Sequence, residues 1–235
     1  MIDGWIDSEL GTIRIVPNAR ARQIIIRAEA DGIRVTVPPH GLFVEADVRR
    51  LIDENRPRLL AMREKAGAYR QYIDLSYSID TDVMRLHLVE GGRKGFYINR
   101  KMGECTIVCP PATDFAPIQD WLKSVVVREL RLQAKVYLYN RTVDFARQYG
   151  FKVSGIKIQS SHTRWGSCSG TNSINLSLFL MAVPSRLSDY VIKHELCHTV
   201  HHDHSTAFWS LMDKVTDNQA HQLRKELAEY SKVML

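Results

Sequence analysis

Two double prolines divide the first half of this chain and limit what it can fold into. Pro38-Pro39 and Pro110-Pro111 lie 72 residues apart, and each pair follows a short segment rich in β-branched residues. Because proline cannot donate a backbone hydrogen bond to a strand ladder, each pair ends a strand. Each pair is also followed by a segment with helical spacing of apolar residues. The chain therefore opens with two blocks of the same order, strands first and then a helix.

The strands predicted in these blocks are short and rich in Ile and Val. They cover residues 12–16, 22–28 and 32–37 in the first block and 83–89, 94–98 and 104–109 in the second. Asp31-Gly32 predicts the turn before 32–37, and Gly91-Gly92 predicts a turn between 83–89 and 94–98. The repeated order is either a duplication or the recurrence of an effective strand terminator, and the second explanation is favoured from the sequence.

Helical spacing predicts one helix in each block and a helix-rich second half. Residues 44–66 form the first helix, which Pro57 ends or kinks, and 116–149 form a long one with Leu132 and Val136 on its apolar side. Gly150 ends the long helix. The remaining predicted elements are strands 153–158 and 174–178 and helices 184–200, 205–214 and 217–232. We therefore predict an α+β protein with a β-rich N-terminal region, 1–112, and a second domain, 113–235.

Composition excludes several classes of protein. With 45% hydrophobic and 25% charged residues, the chain matches ordinary globular proteins and not disordered ones. It has no apolar run of about 18 residues and no signal-like N-terminus, so we expect no membrane span and a cytoplasmic location. Four cysteines without a C-x-x-C pair are typical of reduced thiols. The net charge of +6 permits a nucleic-acid partner, although acids interleave with the arginines and favour a solvated helix face.

The segment His194-Glu195-Leu196-Cys197-His198 has the pattern H-E-x-x-H and carries the chemistry. At about 100° per residue, a helix places the two histidines one turn apart on one face. Their imidazoles can share a metal ion, and Glu195 lies beside them in the position of a general base. The same face continues into Leu187 and Val191, so it should point inward, where unpartnered imidazoles are costly. A metal site is therefore favoured over core packing.

A catalytic zinc normally takes a third protein ligand and water. His204 supplies it if the helix ends near residue 200 and the chain turns back, and Ser205 or Asp203 can cap the next helix. A second option is a carboxylate one helix later, Glu226 or Glu229. We favour His204 because a short loop fixes the geometry better than a distant helix. No role is assigned to His201, His202 and Asp203, except that His201 or Asp203 would close a structural site as a fourth ligand.

The segment Thr163-Arg164-Trp165-Gly166-Ser167-Cys168-Ser169 precedes this site in the chain. Arg164 is a planar cation suited to a developing oxyanion or a substrate carboxylate, and a structural salt bridge is the equal alternative. Trp165 and Cys168 are expected to pack in the core, and Phe208 and Trp209 behind the metal site. The strand 174–178 is expected to present an open edge along the cleft, where a peptide would pair as an added strand.

With R-W-G-S-C-S joined to H-E-L-x-H and to H-S-x-x-F-W at 204–209, the chain resembles the YgjP-like metal-dependent hydrolases, a group similar to the SprT and WLM-type small zinc peptidases. The resemblance runs over nearly the whole chain. It implies a gluzincin-like core with an H-E-x-x-H active-site helix. It also implies Zn²⁺ held by His194, His198 and His204, with Glu195 as the catalytic base.

These residues lead us to expect a zinc-dependent hydrolase, most simply a metallopeptidase in which Glu195 activates a zinc-bound water and Arg164 helps the oxyanion. Its substrate would be a peptide or protein. The alternative is a metal-dependent nucleotide phosphohydrolase of the nucleoside triphosphate pyrophosphatase type, which the basic charge permits. A three-histidine site argues for zinc over Mg²⁺, which prefers oxygen ligands. A third possibility is a binding module with a purely structural metal.

Overall fold

The computed structural model describes residues 4–29, 32–38, 45–68 and 72–230. Asp31 of the first predicted turn and Pro39 of the first double proline lie outside these residues. The chain divides into two compact units, Met1–Gln71 and Tyr72–Leu235. Strands and helices are both present and do not alternate regularly along the chain, which confirms the predicted α+β class.

The first unit is a four-stranded sheet followed by two helices. Its elements are β1 (Trp5–Asp7), β2 (Gly11–Pro17), β3 (Ile25–Glu29), β4 (Gly32–Val37), α1 (Glu45–Glu54) and α2 (Arg56–Ala68). Ile33 and Val35 on one face of β4 join Val48 and Ile52 of α1 in a small core. Pro57 lies in the first turn of α2, where its missing N–H is tolerated, so the predicted single helix is two helices.

The second unit begins with another four-stranded sheet. Its strands are β5 (Ser78–Asp80), β6 (Arg85–Glu90), β7 (Tyr97–Lys101) and β8 (Glu104–Cys109). Although β6 and β7 flank Gly91-Gly92, they do not pair with each other. Instead, β7 forms an antiparallel pair with β8, and β6 runs parallel to β8.

The sheets of the two units have the same topology. Their strand orders are β1-β2-β4-β3 and β5-β6-β8-β7. In both sheets the first pair is antiparallel, the second is parallel and the third is antiparallel. The turns into β2 and β6 match as well. Asp7 Oδ1 accepts hydrogen bonds from the backbone N–H groups of Glu9 and Leu10, and Thr81 Oγ1 accepts them from Val83 and Met84. A recurring strand terminator would not by itself give two sheets the same strand order and the same turns. The structure therefore favours a duplication.

A 31-residue helix, α3 (Gln119–Tyr149), follows the second sheet. Leu122, Leu130 and Leu138 on one face are fully buried. Leu132 and Val136 are 48% and 62% exposed, so their predicted place on the apolar side is wrong. At about 100° per residue, both lie roughly opposite Leu130. Gly150 ends the helix in the left-handed conformation, with φ +75°, as predicted.

A third sheet and three helices complete the unit. The elements are β9 (Gly155–Gln159), β10 (Gly166–Cys168), β11 (Ser173–Ser177), a 3-10 helix (Leu178–Ala182), α4 (Ser185–Cys197), α5 (Thr206–Val215) and α6 (Ala220–Glu229). The strand order is β10-β11-β9, with β9 parallel to β11. The predicted strand 174–178 is therefore central and has no open edge. Among the described residues, the sheet edge beside α4 belongs to β10. The sequence analysis did not predict this strand, because the residues around it are typical of turns.

One core joins the second sheet, α3 and the last helices. The boundary predicted between residues 112 and 113 falls inside this unit, because Leu86 and Ile107 of the sheet share that core with Leu122 and Leu187. All four cysteines are unpaired. Of the helices that the structure describes, none has both the length and the apolarity that crossing a bilayer demands.

Candidate metal centre

The end of α4 brings three histidine side chains together. His194 lies in its last turn and His198 is its C-terminal cap. The chain then turns back, and α5 begins at Thr206 after Ser205, so His204 returns to the same side. The Nε2 atoms of His198 and His204 each lie 3.2 Å from Nε2 of His194.

The three imidazoles fit a transition-metal ion. Their ligand atoms all lie within 4.8 Å of one another. Nitrogens bound at about 2.0–2.1 Å to a tetrahedral zinc are roughly 3.3–3.4 Å apart, close to the 3.2 Å separations here. Among the residues described, no carboxylate or thiol joins this group. The site thus offers three nitrogen donors, the number typical of a catalytic zinc site.

The surrounding residues orient the rings. Phe208 is fully buried beneath them, its ring centroid 4.5 Å from that of His198 and 4.9 Å from those of His194 and His204. His198 Nδ1 lies 2.9 Å from the backbone oxygen of His201. Donation of an Nδ1 proton to that oxygen leaves the Nε2 lone pair for a metal. His194 Nδ1 is buried and has no partner among the described residues, so packing alone holds this ring.

The environment of His194 and His198 favours the neutral form that binds metals. Burial, followed by the charges of His198 and His204, lowers the pKa of His194 to about 3. Burial also lowers the pKa of His198. Because a metal ligand must be unprotonated, this electrostatic environment favours metal over proton.

Glu195 lies next to the triad on α4 and is 6% exposed. Burial raises the pKa of its carboxyl group to about 8, and the charge of Arg164 acts in the opposite direction. The Glu195 side chain packs closely against Gly166 of β10. A Cβ atom added at Gly166 would lie 2.7 Å from both Cγ and Oε1 of Glu195. The glycine therefore allows the helix and the edge strand to approach closely.

The other residues singled out in the sequence lie outside the triad. Arg164 is exposed and does not line the cavities described below. Glu226, one of the alternative ligands, is ion-paired with Arg186. Asp203 Oδ1 accepts a hydrogen bond from the Ser205 backbone N–H in the turn before α5, while Ser205, the N-terminal cap of that helix, makes no side-chain capping hydrogen bond. Trp165 and Cys168 pack against the core, as expected.

Three residues that the sequence did not single out also line the site. A cavity of about 450 Å³ is lined by His194, His204, Trp209 and Arg224. A second cavity, of about 200 Å³, adjoins Glu195 and includes Tyr190, Leu227 and, again, Arg224. Tyr190 lies one turn before His194 on the same helix, so its spacing could have identified it from the sequence. Arg224 and Leu227 lie on α6, and no spacing rule connects that helix with H-E-x-x-H.

A comparison with known families agrees with this geometry. A family model described as the YgjP-like metallopeptidase domain matches residues 22–230 of the 235. The chain belongs to the YgjP-like family. No curated protein and no solved structure matched it.

Membership in the YgjP-like family makes the chain an enzyme, a metal-dependent hydrolase, and implies a divalent metal. The histidine triad is a group that can hold it. The match is to a metallopeptidase domain, so it lends no support to the nucleotide phosphohydrolase alternative or to a nucleic-acid partner.

Proposed function

We propose that this YgjP-like protein is a zinc-dependent peptidase, with His194, His198 and His204 as the metal ligands and Glu195 as the general base. The observation that carries the proposal is the convergence of three imidazole Nε2 atoms beside the buried carboxyl group of Glu195. Imidazole donors favour zinc over Mg²⁺ or Ca²⁺, which take oxygen ligands.

When bound, zinc supplies Lewis acidity that polarises a carbonyl group and makes a water molecule more acidic. Glu195 accepts the proton of the attacking water and delivers it to the leaving amine nitrogen. The charge of Arg164 favours the ionised form of Glu195 that this role requires. A nearby divalent cation acts in the same direction.

The edge strand β10 gives the substrate a place to bind. Gly166 on this strand contacts Glu195, so a peptide paired with the free edge of β10 would lie beside the carboxylate. Backbone pairing holds an extended peptide without regard to its side chains. This arrangement suits a peptide or protein substrate better than a small molecule.

The proposal is tested by metal analysis and hydrolysis of a peptide library by three variants. We expect Glu195→Gln to keep one zinc per chain while hydrolysis falls about 10²–10⁴-fold, since it removes the base and leaves the ligands. His204→Ala should lose both metal and activity. His202→Ala is the matched control, because His202 is an exposed histidine of the same loop outside the triad. Full activity of Glu195→Gln, or normal zinc affinity of His204→Ala, would contradict the proposal.

A further inference from the structure

The cavity beside Glu195 is shaped to hold one side chain. Its walls include Trp165, Val191 and Leu227, and the polar groups facing it include Glu195 and Tyr190. Its volume of about 200 Å³ is below the range of about 300–1,000 Å³ typical of pockets for drug-sized ligands. Burial raises the pKa of Tyr190 to about 12, so its hydroxyl group remains a hydrogen-bond donor at neutral pH. An apolar amino-acid side chain fits these walls.

Arg224 connects this cavity with the metal centre. Its side chain lines both the cavity beside Glu195 and the one beside His194 and His204. Its guanidinium carbon lies 5.4 Å from the ring centroid of Trp209, which stacks on His221 at 4.9 Å. Because His221 and Arg224 are three residues apart on α6, both contact Trp209 from the same helix face. The guanidinium group is thus held beside the triad.

Within the part of the chain that the structure describes, no carboxylate neutralises the charge of Arg224. Among the described residues, no carboxylate lies within 4.0 Å of its side-chain nitrogens, and Glu226, two residues further on, pairs with Arg186 instead. Arg141 on α3, in contrast, is held by both oxygens of Asp189. Burial lowers the pKa of His194 and the charge of Arg224 adds to that effect, whereas burial raises the pKa of Tyr190 and the charge of Arg224 opposes it, so Arg224 lies within electrostatic range of both residues.

We propose that Arg224 is a specificity residue that binds a carboxylate of the substrate, next to the residue whose apolar side chain enters the cavity beside Glu195. This inference rests on the proposed peptidase function. A guanidinium group binds a carboxylate through two parallel hydrogen bonds, which fixes the orientation as well as the position of the peptide. The carboxylate is either the C-terminus of the peptide or an acidic side chain beside the apolar residue.

The test measures binding of N-acetyl-L-leucine and of N-acetyl-L-leucinamide to the zinc-loaded full chain. The two probes share the apolar side chain and differ in the carboxylate, and the fluorescence of Trp165 and Trp209 reports their binding. We expect the wild type to bind the acid about tenfold more tightly than the amide, the effect of a charge-assisted hydrogen bond. Arg224→Gln should lose this preference, and Arg224→Lys should keep part of it. Lys225→Gln is the matched control, because Lys225 is an exposed cation on the same helix outside both cavities.

A preference for the acid that persists in Arg224→Gln would overturn the inference, since the carboxylate would then bind elsewhere, for example to the metal. Equal binding of the two probes by the wild type would overturn it as well. Hydrolysis assays separate the two carboxylate sources. They use a peptide ending in leucine as the free acid, the same peptide as its amide, and an amide with aspartate next to leucine.

The hydrolysis assays also separate this inference from the proposed function. If no peptide is cleaved but the acid preference depends on Arg224, the peptidase function fails and the carboxylate site stands. If all three peptides are cleaved equally, and Arg224→Gln does not change this, the peptidase function stands and the carboxylate site is overturned.

Discussion

Glu195 and Gly166 fit each other closely, although they are 29 residues apart in the chain. Gly166 contacts the Glu195 side chain so closely that a methyl group there would lie 2.7 Å from its Cγ and Oε1 atoms. That distance is well below normal van der Waals contact. The glycine on β10 therefore determines where the carboxylate of α4 lies.

Gly166→Ala should consequently reduce hydrolysis without releasing the metal. The added methyl group displaces Glu195, and a displacement of about 1 Å can cost roughly 10²-fold in rate. The three atoms nearest to the added methyl group all belong to Glu195, so we expect zinc content to stay at the wild-type value. Elemental analysis and the rate of peptide hydrolysis measure the two effects.

Gly170→Ala provides the control for this substitution. Gly170 lies two residues beyond the end of β10, and a Cβ atom there would meet nothing within 4 Å. Its activity should equal that of the wild type. A Gly166→Ala enzyme that is equally active would show that Glu195 is free to move, and the proposed fit would then be wrong.

Among the elements, α3 shares a core with the second sheet and is also joined to it by one buried charge. Glu129 on this helix is 2% exposed and accepts two hydrogen bonds from Arg100 of β7, from Nε at 2.6 Å and Nη2 at 2.8 Å. Arg128 adds a third at 3.2 Å. These hydrogen bonds, of which those from Arg100 have the largest effect, hold the pKa of Glu129 below its usual value although burial acts to raise it.

This pairing predicts how acid affects the second unit. Because the pKa of Glu129 is lower in the folded than in the unfolded state, its ionised form stabilises the fold above about pH 4.5, and that stabilisation is lost as the pH falls further. Glu129→Gln should lower the free energy of unfolding at neutral pH by about 2 kcal/mol and weaken its acid dependence. Urea unfolding at several pH values, followed by tryptophan fluorescence, measures both changes.

Glu104→Gln on the neighbouring strand is the control for Glu129. Glu104 and its partner Arg85 are about half-exposed, and such surface pairs contribute about 0–1 kcal/mol. We expect little change in stability at any pH. If Glu129→Gln behaved like Glu104→Gln, the buried pair would add nothing to the stability that the shared core gives α3 and the sheet.

At the scale of the whole molecule, the chain has two units with separate cores. The proposed site residues all lie in the second. Among the described residues of the first unit, seven buried apolar side chains form the core, so ion pairs contribute a larger share of its stability. Arg56 is its central cation, with contacts to Asp7 at 2.9 Å, Asp53 at 2.7 Å and Glu9 at 3.0 Å, and it lowers the pKa of Asp7 well below the usual range.

Arg56→Ala should destabilise the first unit and leave the metal centre unchanged. Asp7, whose side chain is 12% exposed, loses its main partner, so we expect the urea midpoint of this unit to fall. Trp5, which lies under the guanidinium group of Arg49 at 4.0 Å, reports unfolding of this unit. Zinc content and peptide hydrolysis should stay at wild-type values.

Arg58→Ala is the matched control for Arg56, because Arg58 is an exposed arginine on the same helix. Its stability should be unchanged. A loss of zinc in Arg56→Ala but not in Arg58→Ala would contradict the assignment of the whole metal centre to the second unit.

Local sequence patterns predicted where helices and strands occur better than they predicted which strands pair with each other. The helix ending at Gly150 and the strand 104–109 occur where the spacing of apolar residues placed them. The strand 174–178 was also found, but its place in the sheet was wrong, because β9 pairs with it from the far side. Strand order depends on contacts between distant segments, and periodicity within one segment contains no information about them.

The sequence by itself determined the α+β class and grouped His194, Glu195 and His198. The four-residue spacing lies within one turn of helix, so helical geometry alone fixes it. His204 also followed from the sequence, since a short loop limits how far it can lie from the helix. Only the tertiary structure brought Gly166 and Arg224 to this group. These residues come from β10 and α6, and the packing of separate elements in one core decides how they meet α4.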